Sequence, residues 1–297
     1  MHLLDSIILG AVQGITEFLP VSSTAHTTLY QKIFSLHSFG RNFDILLNLG
    51  TLLALILYFF KDFLKIFLGG WDYLDAVGDR LHLPRKLRTL SKGTICGLPF
   101  FRYRLRFPWN GSCSEKENNA VFFVIIFLAN LPTIILFFFL SCFNVKIISV
   151  KLTAINLIVF GVILYLCDQK PTDKKDISAK DAIKIGIAQM LAFFPGVSRL
   201  GICLSMCRYL GYDRRESFRF SMIFSIIPVA GACTLKLTEI YKKGMVGFSC
   251  IEALAGIVSA FIFGMISVFV VSKFLKKHSF TPIVIYRIIF GISVWFL

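Results

Sequence analysis

Two stretches of this chain carry ionisable and hydroxyl side chains inside otherwise apolar sequence, QGITEFLPVSSTAH from Gln13 to His26 and QMLAFFPGVSRLG from Gln189 to Gly201. Such groups are expensive at membrane depth and mark functional sites by default. Gln13 and Glu17 stand four residues apart, on one face of a helix. Their oxygens suit a divalent cation whose shell is completed by water and a substrate phosphate, or they form a polar pair that satisfies backbone groups. Beyond Pro20, Ser22, Ser23 and Thr24 sit where a new helix would begin, and one of them, Ser22 by preference, is expected to be an N-cap. His26 follows Ser23 by three residues and Ser22 by four, the spacing of a base near a nucleophilic hydroxyl. In the second stretch Pro195 and Gly196 let backbone approach a ligand, with Ser198 and Arg199 next in line. An arginine there requires an anion: a phosphate that matches its planar fork, or the carboxylate of Glu17. Together these groups are what hydrolysis of a lipid-linked phosphate requires, since phosphoryl transfer is mostly positioning and charge neutralisation.

The elements that position these groups follow from hydropathy. Six apolar runs are long enough to span a bilayer or nearly so: Phe43 to Phe60, Val121 to Phe143, Leu152 to Cys167, Phe218 to Leu237, Ile251 to Ser272 and Pro282 to Leu297. The two polar stretches occupy further segments, Leu3 to Phe34 and Ala182 to Tyr209, each broken near its middle by Pro20 or Pro195. A proline interrupts the helical ladder, so each segment is expected to fold back as a re-entrant pair buried in protein. The connections Lys61 to Asn119, Asp168 to Lys184, Arg208 to Arg219 and Lys273 to Lys277 are basic. Threading the spans puts all of them on one face, read as cytoplasmic, and leaves the Gln13 to His26 segment to enter from outside. The expected fold is all-α and polytopic, with six transmembrane helices, two re-entrant helical segments and an inverted-topology repeat, the first half about 1–167 and the second about 181–297. Gln13, Pro20 and Ser22 against Gln189, Pro195 and Ser198 support that repeat at the sequence level. The stretch 61–119 reads as a hydrophilic loop insertion, its FFRYRLRF run (Phe100 to Phe107) lying at a membrane surface.

Composition sets the class. Of 297 residues 56% are hydrophobic, above the roughly 45–50% of a soluble domain, and the mean hydropathy is +0.73. The net charge of +15 sits in short clusters between apolar runs, which points to topology and membrane lipids as partners and not to nucleic acid. The eight cysteines form no CxxC pair and read as reduced structural thiols; Cys203 and Cys207 share a helix face but lack partners for zinc. The N-terminus has no basic n-region or small-residue cleavage pattern, so it is expected to remain in the mature protein.

At these residues the chain resembles the undecaprenyl-diphosphatase family, the bacitracin-resistance phosphatases of bacterial membranes. The family's Glu/Gln, three residues, Glu pattern matches Gln13 and Glu17, its FLPVSST-small-His matches Phe18 to His26, and its PGxSR matches Pro195 to Arg199. Phe43 to Phe59 and Lys273 to Ile292 also look like family sequence. The resemblance implies hydrolysis of C55 isoprenyl diphosphate to the monophosphate carrier at the outer face of the bacterial plasma membrane, with a divalent cation, Mg2+ or Ca2+. Residue by residue it implies a metal role for Gln13 and Glu17, a nucleophile or acid–base role for Ser23 and His26, and phosphate binding by Ser198 and Arg199, with Ser22, Thr24 and Gly196 lining the substrate site. It leaves Ser23, His26 and an activated water open as the attacking group, and is compatible with a homodimer. Leu200 and Cys203 replace a Ser and a Thr of the family pattern, Ala25 replaces a Gly, and Gln13 removes a charge from the metal pair. The SRxxxxxHxxxD signature of another lipid phosphatase class fails, since Ser205 and Tyr209 occupy its His and Asp positions. The remaining alternative is a secondary transporter or flippase of an anionic or lipid-linked substrate, an architecture that also uses broken helices.

The topology is testable at Ser91. In a background stripped of native cysteines, Ser91→Cys should stay unmodified by an impermeant thiol reagent in intact cells; labelling there reverses the orientation.

Overall fold

The computed structural model describes residues 2–34, 40–64, 67–68, 115–142, 149–172, 174, 177–243, 247–275 and 277–296. Most of the Lys61 to Asn119 loop, including Phe100 to Phe107 and Ser91, lies outside the described residues. Among those described the regular elements are helices: α1 (His2–Glu17), α2 (Ser23–Ile33), α3 (Gly40–Tyr58), α4 (Glu115–Cys142), α5 (Val150–Asp168), α6 (Ala179–Gln189) with a 3-10 turn Met190–Phe193, α7 (Arg199–Tyr209), α8 (Arg214–Lys243), α9 (Cys250–Phe274) and α10 (Thr281–Trp295).

The helix starts are written locally. Ser149, Ser178 and Ser198 each accept a bond from the backbone N–H three residues on, Ser249 and Glu252 form a capping box, and α10 opens on Pro282. Among the described residues, Val150–Asp168, Arg214–Lys242 and Cys250–Phe274 are long and apolar enough to cross a membrane, and Phe43–Tyr58, Phe123–Leu136 and Thr281–Trp295 are shorter apolar helical stretches. All fall on the expected apolar runs. Helix α9 shows how such a helix is oriented: Ile251, Leu254, Val258, Ile262, Ile266 and Val270 are exposed along one stripe, while Gly256, Ala260 and Gly264 are buried on the other. An exposed aliphatic stripe of this length has lipid as its natural solvent. The chain is a multi-pass membrane protein.

Helix α1 lies along α9, and α6 lies along α4; α3 packs on α9 and α8, α8 also on α4, α5 on α10, and α7 on α5 and α8. The α1–α9 approach depends on missing side chains, as is usual where helices meet in lipid. A Cβ on Gly14 would stand 2.6 Å from the Ala260 carbonyl oxygen and 2.7 Å from the Gly264 nitrogen, and one on Gly10 would run into the Gly256 carbonyl. Ser259 and Ser267 add hydrogen bonds to the carbonyls of Ile7 and Ile15 at 2.7 and 2.9 Å.

Ion pairs join three of the four basic connections, and a backbone hydrogen bond brings in the segment that follows the fourth. Asp168, buried at the end of α5, accepts from Arg208 Nε at 2.9 Å, from Arg214 Nε at 2.8 Å and from the Phe280 N–H at 3.3 Å. Asp62 accepts from Arg219 at 2.6 Å. A carboxylate so deeply buried is stable only when its oxygens are filled this way.

Overpacking the α1–α9 seam should be costly. Gly14→Val should lower the unfolding temperature in detergent, by the equivalent of about 1–3 kcal/mol or more, whereas Gly231→Ala, where a Cβ meets nothing within 4 Å, should leave it unchanged or raise it. Equal melting temperatures for wild type and Gly14→Val would contradict this packing.

Candidate active site

Helix α1 stops at Glu17 and α2 starts at Ser23; the 3-10 turn after α6 stops at Phe193 and α7 starts at Arg199. The residues between are the two proline-centred breaks. In each break the residue just before the new helix is a serine with positive φ, Ser22 at 69° and Ser198 at 67°, and these are the non-glycine residues so placed among those described. Left-handed backbone at a residue with a Cβ is strained and persists where surrounding contacts over-determine it. Both serines lie nine residues after a glutamine, Gln13 or Gln189. Gly196 takes φ 89°, with no room for a Cβ against the Thr153 carbonyl.

The breaks leave carbonyls without helical partners, and side chains from other helices supply donors. Arg287 in α10, with no exposed surface, donates Nη1 to the Pro20 carbonyl at 2.7 Å and Nη2 to the carbonyls of Gly196 and Val197 at 3.0 and 3.1 Å. Its Nε reaches the Leu157 carbonyl at 3.2 Å. Asn156 in α5 donates to the Pro195 carbonyl at 2.8 Å. One guanidinium therefore holds both breaks side by side.

Gln13 Nε2 donates to Glu17 Oε2 at 3.0 Å and to Asn48 Oδ1 of α3 at 2.7 Å, so the expected pair acts as a unit. Ser23 Oγ donates to the same Glu17 oxygen at 2.6 Å, a short charge-assisted bond. His26 is turned away from this group. Its Nδ1 meets the Ser22 carbonyl at 2.8 Å and its Nε2 meets the Tyr286 hydroxyl at 2.7 Å, while the ring stacks on Phe290 at 4.0 Å. The expected Ser23–His26 contact is replaced by Ser23–Glu17: Ser23 is the first residue of α2, and the turn from it to position 26 carries the imidazole round to α10. Ser22 does hold the N-cap position, yet its hydroxyl makes no capping bond, because its left-handed backbone points the side chain elsewhere. Thr24 is exposed beside it.

Arg199 and Glu17 line one small cavity with Thr51 and Ser225 as its other polar groups and Leu52, Leu200, Met222 and Val229 as apolar wall. They do not pair with each other, so the alternative of a Glu17–Arg199 ion pair is not realised among the described residues. Arg199 Nη1 is buried and has no hydrogen-bond partner. Buried guanidinium nitrogens are almost always satisfied, so an orphan on a residue that lines a cavity is a donor open to an anion or a water. The cavity also receives the N-terminus of α7, whose free N–H groups favour negative charge. Ser198 spends its hydroxyl capping α7 through the Gly201 N–H at 3.2 Å. Leu200 adds an apolar wall where the family pattern has a hydroxyl, and Cys203 donates to Gln189 at 3.4 Å.

A cation here would be held by the Glu17 carboxylate with the oxygens of Asn48 and Ser23, and by Gln13 once its amide turned its oxygen to where its nitrogen now meets Glu17 and Asn48. Hard oxygen donors of this kind suit Mg2+ or Ca2+ when substrate oxygens complete the shell. Among the described residues no group of three or more His, Cys, Asp and Glu gathers to hold an ion alone. Asn48 and Arg287 were not picked out from the sequence; each is a lone polar residue in an apolar run, the same signal that exposed the two breaks.

Comparison with known proteins finds relatives that span nearly the whole chain. The family model described as Bacitracin resistance protein BacA matches residues 6–293. A protein of Erythrobacter litoralis named undecaprenyl-diphosphatase is 34% identical over 99% of both chains. Others of that name from Geotalea daltonii and Geobacter metallireducens are 35% and 33% identical, over 98% and 99% of this chain and 96% and 97% of their own.

If the Arg199 fork holds an anion here, Arg199→Lys should weaken binding of inorganic pyrophosphate at least about tenfold by titration calorimetry, since a point charge cannot reproduce the bidentate contact. Unchanged affinity would remove Arg199 from the site.

Proposed function

Since the chain belongs to the Bacitracin resistance protein BacA family, we propose that it is an undecaprenyl-diphosphatase, which hydrolyses the isoprenyl diphosphate to lipid monophosphate and inorganic phosphate. The observation that carries the reading is the unpartnered Arg199 Nη1 across one cavity from Glu17, with the Ser23 hydroxyl already bonded to that carboxylate. The terminal phosphate enters this cavity and Arg199 takes its oxygens. Glu17 receives the hydroxyl proton as Ser23 Oγ attacks the terminal phosphorus; the bond to the bridging oxygen breaks and the lipid monophosphate leaves. A water then attacks the phosphoserine phosphorus; the P–Oγ bond breaks, Glu17 gives its proton back to Ser23 Oγ, and inorganic phosphate leaves with the water's oxygen while the water's second proton goes to solvent. We assign His26 an acid–base role as well; because its ring faces α10 and not Ser23, it acts at Nε2 on a substrate oxygen or water that reaches it there, a contribution worth typically 10²–10⁴-fold. Ser22, Thr24, Gly196 and Ser198 shape the substrate site around them.

Gln13 and Glu17 would hold a divalent cation, Mg2+ or Ca2+, against the diphosphate. When bound it neutralises charge on the phosphate oxygens, the main requirement of phosphoryl transfer. A secondary transporter would use the same broken helices, but an anion clamp has no need of a hydroxyl held on a carboxylate.

The finer topology belongs to the same proposal: six spans, two re-entrant segments, an inverted repeat of residues about 1–167 and 181–297, and an active site opening to the outer face of a bacterial plasma membrane. Several packing relations support it, because exchanging the halves maps α1 on α9 to α6 on α4, and α3 on α9 to α8 on α4. The last helix of each half also supplies the donor to the opposite break, Asn156 to Pro195 and Arg287 to Pro20. The basic connections, gathered at one end, support reading that end as cytoplasmic.

The test is phosphate release from undecaprenyl or farnesyl diphosphate by purified protein in detergent. Release should stop with chelator, return with Mg2+ or Ca2+, and fall by about 10³ or more in Glu17→Gln. Absence of release by the wild-type protein, or an undiminished Glu17→Gln, would overturn the reading.

A further inference from the structure

We infer that Tyr286 is a positioning residue for the reaction, acting through His26; the inference rests on the acid–base role proposed for that histidine. The Ser22 carbonyl can only accept, so the His26 Nδ1 facing it at 2.8 Å carries the hydrogen. On the neutral ring this makes Nε2 the acceptor, and the Tyr286 hydroxyl, 2.7 Å away, is the donor. The tautomer is thus set from both sides. Orientation is set as well: the imidazole lies between break and α10, stacked on Phe290 at 4.0 Å with an interplanar angle of 12°, and Tyr286 and Phe290 stack on each other at 5.8 Å.

Tyr286 precedes Arg287, so consecutive residues of α10 serve the first break in different ways. Arg287 fixes its backbone at Pro20, and Tyr286 fixes its imidazole. Among the described residues, the titratable and charged groups facing the ring are these two, both on α10. When His26 gains a proton it can do so only at Nε2. The new N–H then donates to the tyrosine oxygen, and the hydroxyl turns from donor to acceptor without either ring moving. Tyr286 is exposed on its other side, so its hydroxyl hydrogen has room to turn. The second-sphere partner of a catalytic histidine commonly sets tautomer and orientation in this manner.

The experiment is a double-mutant cycle on farnesyl diphosphate hydrolysis, comparing Tyr286→Phe and His26→Ala singly and together, each checked for monodisperse elution. Tyr286→Phe keeps the stacking ring and removes only the hydroxyl. It should lower kcat about tenfold, the scale of one hydrogen bond to a catalytic group, with KM within about twofold. In the His26→Ala background the same change should have almost no effect, because its target is gone. An equal loss in both backgrounds, or no loss in the wild-type background, overturns the inference while leaving the role of His26 intact. Full activity of His26→Ala overturns the acid–base role and the inference with it. If His26→Ala falls below detection, the pH–rate profile of Tyr286→Phe decides: a displaced profile supports the inference and a superimposable one overturns it.

Discussion

A guanidinium without exposed surface, donating to the carbonyls of two separate helix breaks, is the constraint on which the rest of this molecule turns. Each side of the contact is untenable alone. A charged group removed from water costs several kcal/mol unless its donors are used, and the carbonyls of a helix break buried in protein need a donor from elsewhere in the chain. Arg287 answers both needs at once, and the Leu157 carbonyl takes its remaining direction. The result is that Pro20 and Gly196, far apart in sequence, are fixed as neighbours.

Once the breaks are neighbours, the helices that leave them start at one place. Ser23 opens α2 against Glu17, and Arg199 opens α7 against the same cavity. The serines at 22 and 198, with positive φ, mark the two breaks locally. Small residues allow a different close approach: Gly10 and Gly14 let α1 lie directly on α9, so the polar end of α1 arrives with Gln13 against Asn48. Fold and site therefore depend on the same few close approaches, which leave Glu17, with Ser23 bonded to it, and Arg199 lining one cavity.

Much of this was legible in the residues themselves. The apolar runs fell on helices, the prolines at 20 and 195 fell in breaks, and the four-residue spacing of Gln13 and Glu17 became a hydrogen bond of 3.0 Å. Spacing failed where direction mattered. Ser23 and His26 are three residues apart, but one faces Glu17 and the other faces α10, and no local pattern says which distant helix will supply a partner. Ser22 was expected to cap α2, yet a positive φ, invisible in the sequence, turned its hydroxyl from that task. Arg287 and Asn48 were overlooked although each is a polar residue alone in an apolar run. Their partners are backbone groups or distant amides, so nothing near them in sequence looks like a site.

The central claim is that both breaks build a single diphosphate site, with Arg199 from one and Glu17 and Ser23 from the other. The most direct measurement is an experimental structure with a non-hydrolysable isoprenyl methylenediphosphonate bound. The account predicts a terminal phosphonate within hydrogen-bond reach of Arg199 Nη1 and next to Ser23 Oγ. A diphosphonate held by one break alone, or seated elsewhere between the helices, would contradict it.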